Sequence, residues 1–398
     1  MWRTNIVLAV GMFLIPLQPH QPSPPQSPQY LTRALSWLAD AQFENGGWGA
    51  GSHSRQDILD PKAVQVDPAT TALSAMALVR AGNTLKQGEH SDNVRRALMF
   101  LLGVVEASPE ESSNVTTLSG TQPQTKLGSN IDVSLCAQFF TRILSSTGKG
   151  TVLERRVTAG LDKCLRKLQR TQNADGSFSG GTWAGVLQSA MANSALELGM
   201  AAGADVDEKA LRRSKEYQQG NLDVSSGEVR TDEAAGVSLY ALTGIQRATA
   251  RDARKTEDVM TEGKRSGRVD EDAEPSVSNL MKAGAPKEEA EKLFKAYTQN
   301  EIGRKQLEDE QVLAGFGNNG GEEYLSHMMT SESLVIAGRN DWAAWSQKMG
   351  TRFQKIQNQN GSWSGHHCIT SPVFCTAAVV LAMTADRDAE LLVAQGKK

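Results

Sequence analysis

The chain has 398 residues and a formal net charge of -3, with 42 Lys and Arg interleaved among 45 Asp and Glu. That balance excludes the basic surface a nucleic-acid partner demands. Hydrophobic residues at 39% suit a globular core, but only 6% of the chain is aromatic, which leaves few rings for lining a cavity.

Arg3 precedes an apolar run from Ile6 to Leu17. The run is too short to span a bilayer and has the length of a signal-peptide core. Residues 1–18 are therefore expected to be a signal peptide or short anchor, and 19–28 a Pro-rich spacer that cannot pack. The expected location is extracytoplasmic, periplasmic or secreted, with the chain held near a membrane if the segment is not cleaved.

Beyond the spacer, apolar residues at helical spacing alternate with clusters of Gly, Pro, Asn and Asp. The segments fall into pairs: 29–42 with 68–81, 92–106 with 132–146, 152–172 with 184–202, and 207–219 with 233–249. A charged stretch at about 251–275 interrupts the pattern and reads as a mobile surface helix or linker, with a partner contact as one use for it. The pairs resume with 287–298 and 322–337, then 342–357 and 372–384. Residues 387–398 read as a tail.

First members carry many charges, as in Leu153-Glu-Arg-Arg156 and Leu211-Arg-Arg-Ser-Lys-Glu216, so one face must be solvated. That solvated face also accounts for Arg155-Arg156 and Arg212-Arg213. Second members are nearly free of charge, as in Thr376-Ala-Ala-Val-Val-Leu-Ala-Met383, and a helix apolar all round must be buried. Six buried helices enclosed by six amphipathic ones make an all-α fold, a closed (α/α)6 toroid over residues 29–386. An open solenoid would need polar capping repeats.

Three outer segments end on one phrase, Gln-x-x-x-Gly-x-aromatic. It reads Gln42-Phe-Glu-Asn-Gly46-Gly-Trp48, Gln172-Asn-Ala-Asp-Gly176-Ser-Phe178 and Gln357-Asn-Gln-Asn-Gly361-Ser-Trp363. Gln can bond free backbone groups where helix meets turn, Gly permits a positive φ, and the ring can pack against the next unit. The phrase with its amphipathic helix resembles the repeat of squalene–hopene-type triterpene cyclases. Protein prenyltransferase β-subunits are similar in fold. The resemblance implies an α/α toroid and an apolar or isoprenoid ligand in a central cavity.

It does not carry over a reaction residue by residue. Cyclases use an Asp-x-Asp-Asp-Thr-Ala acid motif, and in Val66-Asp-Pro-Ala-Thr-Thr-Ala72 the paired aspartates align with Ala69 and Thr70. Prenyltransferases hold zinc with Asp-x-Cys and a distant His, and no Asp-x-Cys occurs here. The stretch His366-His-Cys-Ile-Thr-Ser-Pro-Val-Phe-Cys375 resembles the His-bearing segment only loosely. The chain also lacks a P-loop, a Gly-x-Ser-x-Gly elbow, His-Glu-x-x-His and Cys-x-x-Cys. Asn114-Val-Thr116 fits a glycosylation sequon.

The loops ahead of the buried helices should share one rim. Asp67, Asp132 and Asp232 stand there, either as N-caps or as polar ligand contacts, with Asp132 the spare general acid. Gly315-Phe-Gly-Asn-Asn-Gly-Gly-Glu-Glu-Tyr-Leu-Ser-His327 places Glu322, Glu323 and His327 as candidate catalytic groups, beside Phe316, Asn318 and Asn319 as ligand contacts. Trp363 joins the ligand contacts. His366, His367 and Cys368 offer donors suited to zinc, with the turn glycines as the structural alternative. Cys136 with Cys164, and Cys368 with Cys375, are placed for disulfides, against the equal alternative of four buried thiols. Alternatives to the isoprenoid reading are a non-catalytic extracytoplasmic scaffold and a carbohydrate-active toroid with paired carboxylates. A plugged centre would favour the scaffold.

Overall fold

A computed structural model describes residues 28–178, 182–317, 319–338 and 341–394. The expected leader at 1–18, most of the spacer and Asn318 lie outside the described residues. Six helix pairs follow one another: α1 (Gln29–Asp40) and α2 (Pro68–Arg80), α3 (Ser91–Ala107) and α4 (Ile131–Ile143), α5 (Val152–Arg170) and α6 (Gly185–Ala201). Then come α7 (Glu208–Gln219) and α8 (Ser238–Arg265), α9 (Lys287–Gln306) and α10 (Gly321–Ala337), α11 (Asp341–Ile356) and α12 (Pro372–Met383).

The even-numbered helices touch in the order α2, α4, α6, α8, α10, α12, and α12 returns to α2. The ring closes, as the charge-free composition of these segments requires. All thirteen positions of α4 are buried, whereas α5 buries one stripe, Val157, Gly160, Leu161, Cys164, Leu165 and Leu168, together with Lys167. Each such Leu contributes about 2 kcal/mol by leaving water. No described helix is long and apolar enough to cross a membrane.

The repeat phrase closes the junctions between outer helices. Gln42 Nε2 donates to Gly46 O at 2.8 Å and to Asn93 O, in the first turn of α3, at 3.0 Å. Gln172 does the same to Gly176 O and to Ala210 O in α7. Gln357 reaches Gly361 O at 2.8 Å and Tyr30 O of α1 at 2.9 Å, joining the sixth unit to the first. The three glycines have φ near +90°. A Cβ on Gly176 would collide with the backbone carbonyl of Arg213, so the residue must be Gly. The indole N–H of Trp48 turns back to Leu38 O at 2.8 Å and that of Trp363 to Phe353 O at 2.9 Å, each within its own unit. The ring of Trp363 also meets Tyr30 of the next unit edge-on.

Three expectations are corrected. Of the two readings of the stretch at about 251–275, the linker is the one set aside and the helix holds: α8 continues to Arg265, because Ala253, Thr256, Met260 and Gly263 keep one face apolar or small. That face packs with Leu280, Ala283, Ala290 and Leu293 into a satellite core beside the ring. Residues 387–394 are no free tail, since Leu392 is buried against Leu198, Ala250 and Ile336. Asp388 pairs with Arg80 and Arg142, both at 2.8 Å, and the two arginines also hold Glu332, sealing the lower end of the ring with a buried charge cluster. All four cysteines are free and buried. Cys136 and Cys164 sit close in the apolar layer between α4 and α5, where burial raises both thiols and favours the neutral form.

The expected central cavity finds little room among the described residues, since those of the inner helices are buried to almost zero exposure nearly throughout. Small side chains let six helices close in until the hub filled. Cavities open instead at the periphery, such as a slot of about 260 Å³ between α9 and α11 and a groove of about 960 Å³ beside α1 and α11.

Candidate functional site

The loops ahead of the inner helices do converge on one mouth, and they sort the candidates by how many donors reach each. Asp67 caps α2, accepting Thr70 N at 2.7 Å, the Thr70 hydroxyl at 2.9 Å and Ala50 N at 2.8 Å. Burial, with the charge of Asp132 behind it, raises its carboxyl to about 7. Asp132 caps across units: it accepts Ala69 N of α2 at 3.1 Å and Gln124 Nε2 at 2.7 Å, with Asn114 Nδ2 at 3.3 Å. Both are engaged as structural acceptors, and burial raises the Asp132 carboxyl despite the donors from Gln124, Asn114 and Ala69. Asp232 begins a short exposed turn, Asp232–Ala234, well before α8 starts, and caps nothing.

Glu322 and Glu323 open α10 side by side. Glu323 accepts the Tyr240 hydroxyl, Phe316 N at 2.9 Å and Gly320 N at 3.0 Å. Its role is to knot the Gly-rich turn, and the glycines at 315 and 320 leave room for its carboxyl. Glu322 is wholly buried and takes one backbone bond, Ile369 N to Oε2 at 3.3 Å, while its Oε1 accepts no N–H or O–H bond. Burial, then the Glu323 charge, raises Glu322 to about 8. Burial and that carboxyl raise the neighbouring Cys368 thiol to about 12. Glu322 is the one described rim carboxyl that stays protonated at neutral pH with an oxygen to spare.

His327 is not part of the mouth. It lies a turn deeper, between the rings of Trp345 and Phe353, where burial and then Arg352 and Lys348 lower it to about 3. Trp363 is fully buried, its backbone N–H given to Thr376 Oγ1 and its indole N–H to Phe353 O, both at 2.9 Å, which leaves no exposed surface for a ligand. Asn319 offers its carbonyl to His366 N at 2.6 Å.

The zinc set does not assemble. His366 is exposed, His367 approaches Glu323 at 3.8 Å, and Cys368 occupies a left-handed φ of 59° that turns successive side chains apart. Among the described residues no three His, Cys, Asp or Glu side chains are grouped to hold a metal.

The mouth joins expected residues to others that the sequence reading did not name. Phe316, a candidate ligand contact and 53% exposed, meets His367 on one side and the unnamed Trp183, 39% exposed, on the other, both edge-on. Lys126 Nζ lies 4.5 Å above the Trp183 ring. Gln122 Oε1 accepts Thr370 N at 2.7 Å and Ser371 N at 3.2 Å, pinning the last rim loop to the second unit. Trp183 and Lys126 were findable, since both stand in segments leading to a buried helix. Tyr240 lies inside α8 and gave no such signal.

The architecture defines an α/α toroid with a packed hub and an aromatic mouth. Residues 1–120 match the family model of the squalene-hopene cyclase C-terminal domain, so the resemblance read from the repeat phrase is supported where its first copy lies. No curated protein matches the chain. Among solved structures, the chain is similar to the type II terpene cyclase MstE from Scytonema in its apo form, at 12% identity, covering 91% of this chain and 98% of that one, with a TM-score of 0.34. A variant of MstE in complex with merosterolic acid A as product matches at 13% identity, 91% and 96% coverage and the same score.

Proposed function

We propose that the protein seats an apolar, isoprenoid-type chain at the mouth of its ring, against Trp183 and Phe316, with Glu322 beneath as a proton donor. The observation that carries this reading is the exposed pair of rings beside a buried, protonated carboxyl with a spare oxygen. Aromatic faces favour an apolar chain and any positive charge a donated proton creates on it. The packed hub argues against folding a long polyene inside the ring, so a surface seat fits better than an enclosed cyclisation chamber.

The test is equilibrium dialysis of the full chain against farnesol. Saturable binding is expected, weakened about tenfold by Trp183→Ala or Phe316→Ala. Glu322→Gln should leave binding intact and abolish any acid-catalysed product. Absence of saturable binding, or full binding by the double aromatic variant, would refute the reading.

A further inference from the structure

At the opposite face, where the inner helices end, a cavity of about 370 Å³ is walled by Lys215, Arg251, Arg254 and Lys255, with Asp252 and Asp258 as its carboxylates. Lys255 is taken by Glu289, and Asp252 faces Lys292. That leaves Lys215, Arg251, Arg254 and the underlying Arg247 with Asp258 and the buried Glu197, while Arg247 also feels Glu332, which Arg80 and Arg142 already hold. Glu197 pairs with Lys215 at 2.6 Å, with Arg251 at 3.3 Å and with Arg247. Burial alone would raise Glu197, but the three cations outweigh it and hold it far below the usual range.

The cations remain under-compensated. Among the described residues Arg254 makes one hydrogen bond, to Ile336 O at 3.3 Å. Arg251 Nη2 and the Nε and Nη2 of fully buried Arg247 make no hydrogen bond among the described residues. Burial, reinforced by the Arg247 charge, pushes the Arg251 guanidinium down despite Glu197. Unpaired donors on charged groups in such surroundings are costly unless an acceptor joins them.

We propose that this cavity binds a phosphate-class oxyanion, free or as a lipid head group, through the guanidinium of Arg254 and the Nη2 of Arg251, whose Nε and Nη1 are held by Glu197 and by Ala394 O at 2.7 Å. Planar guanidinium groups match the spacing of two oxygens on a tetrahedral anion. The site lies at the other end of the ring from the mouth and does not depend on the reading proposed there.

The experiment is calorimetric titration of the full chain with inorganic phosphate and pyrophosphate, alongside co-sedimentation with phosphatidylcholine vesicles with and without phosphatidic acid. Arg254→Gln is the informative variant, because Arg254 makes one long bond and its loss should leave the fold intact, as a melting curve will verify. Saturable binding of free anion, weakened about tenfold or more by Arg254→Gln, is expected. Binding to acidic vesicles alone, again lost in the variant, assigns the same site to a lipid head group. No saturable binding in either arm, or binding that Arg254→Gln leaves unchanged, overturns the proposal.

Discussion

Replacing Glu322 with Gln isolates the unusual carboxyl at the mouth. Gln keeps the shape and can still accept the Ile369 N–H, but it cannot ionise. In the folded protein the carboxyl titrates at about 8, against an ordinary value of 4.5. The folded state therefore keeps its proton over a window in which the unfolded chain releases it. Stability from this group is complete below the unfolded value and is lost as pH climbs towards 8. Linkage gives a loss of about 2.5 kcal/mol between roughly pH 5 and pH 7 in the wild type. The variant escapes that loss, so its stability relative to wild type should rise by the same amount over the window. Urea unfolding of both proteins at the two pH values measures this directly. Contributions from Asp67, Asp132 and the lower charge cluster cancel in the comparison. A difference that stays constant with pH would refute the assignment of Glu322 as a buried, protonated acid.

The other expectations concern the scaffold. Asp388→Ala removes a partner from both Arg80 and Arg142 and should cost about 3 kcal/mol near neutrality. Burial would raise Asp388, but the two arginines hold it at about 2; its stabilisation is present above its ordinary 3.8 and fades as pH falls, so the variant's deficit should shrink in acid unfolding curves. Gly176→Ala forces a side chain into a φ of 91° against Arg213 O and should destabilise by about 2 kcal/mol or more, read as a lower urea midpoint. Gln357→Ala breaks three bonds, two of them across the ring's seam to Tyr30 O and from Arg33, and should cost about 2 kcal/mol, with limited proteolysis cutting first near α1 or α11.

How legible the molecule was in its sequence depends on the range of the forces involved. The helix pairs were readable because amphipathicity is local, and the repeat phrase was readable because its Gln and Gly act within one turn and on the next helix. The satellite core was missed because its charges mask a stripe of only four small or apolar residues on α8. The disulfides failed on the same ground as the zinc set. Proximity in sequence places side chains in a neighbourhood, while the backbone at Cys368 and the apolar packing at Cys136 decide what they meet there.

The rim carboxyls are the instructive case. Asp67, Asp132, Glu322 and Glu323 look alike in the sequence, each standing ahead of or at the start of a buried helix. What separates them is the donors brought from elsewhere: Ala50, Gln124, Tyr240 and the turn at Gly320 satisfy three of the four. Glu322 is left with a single backbone N–H from the last rim loop. That count is a property of the closed ring, and no window of sequence contains it. The same closure explains the packed hub. Six helices rich in Ala, Ser and Thr approach closely enough to seal the ring, and that approach also removes the space a deep cavity would need. On the proposed reading the ligand therefore sits at the mouth, where the exposed rings stand.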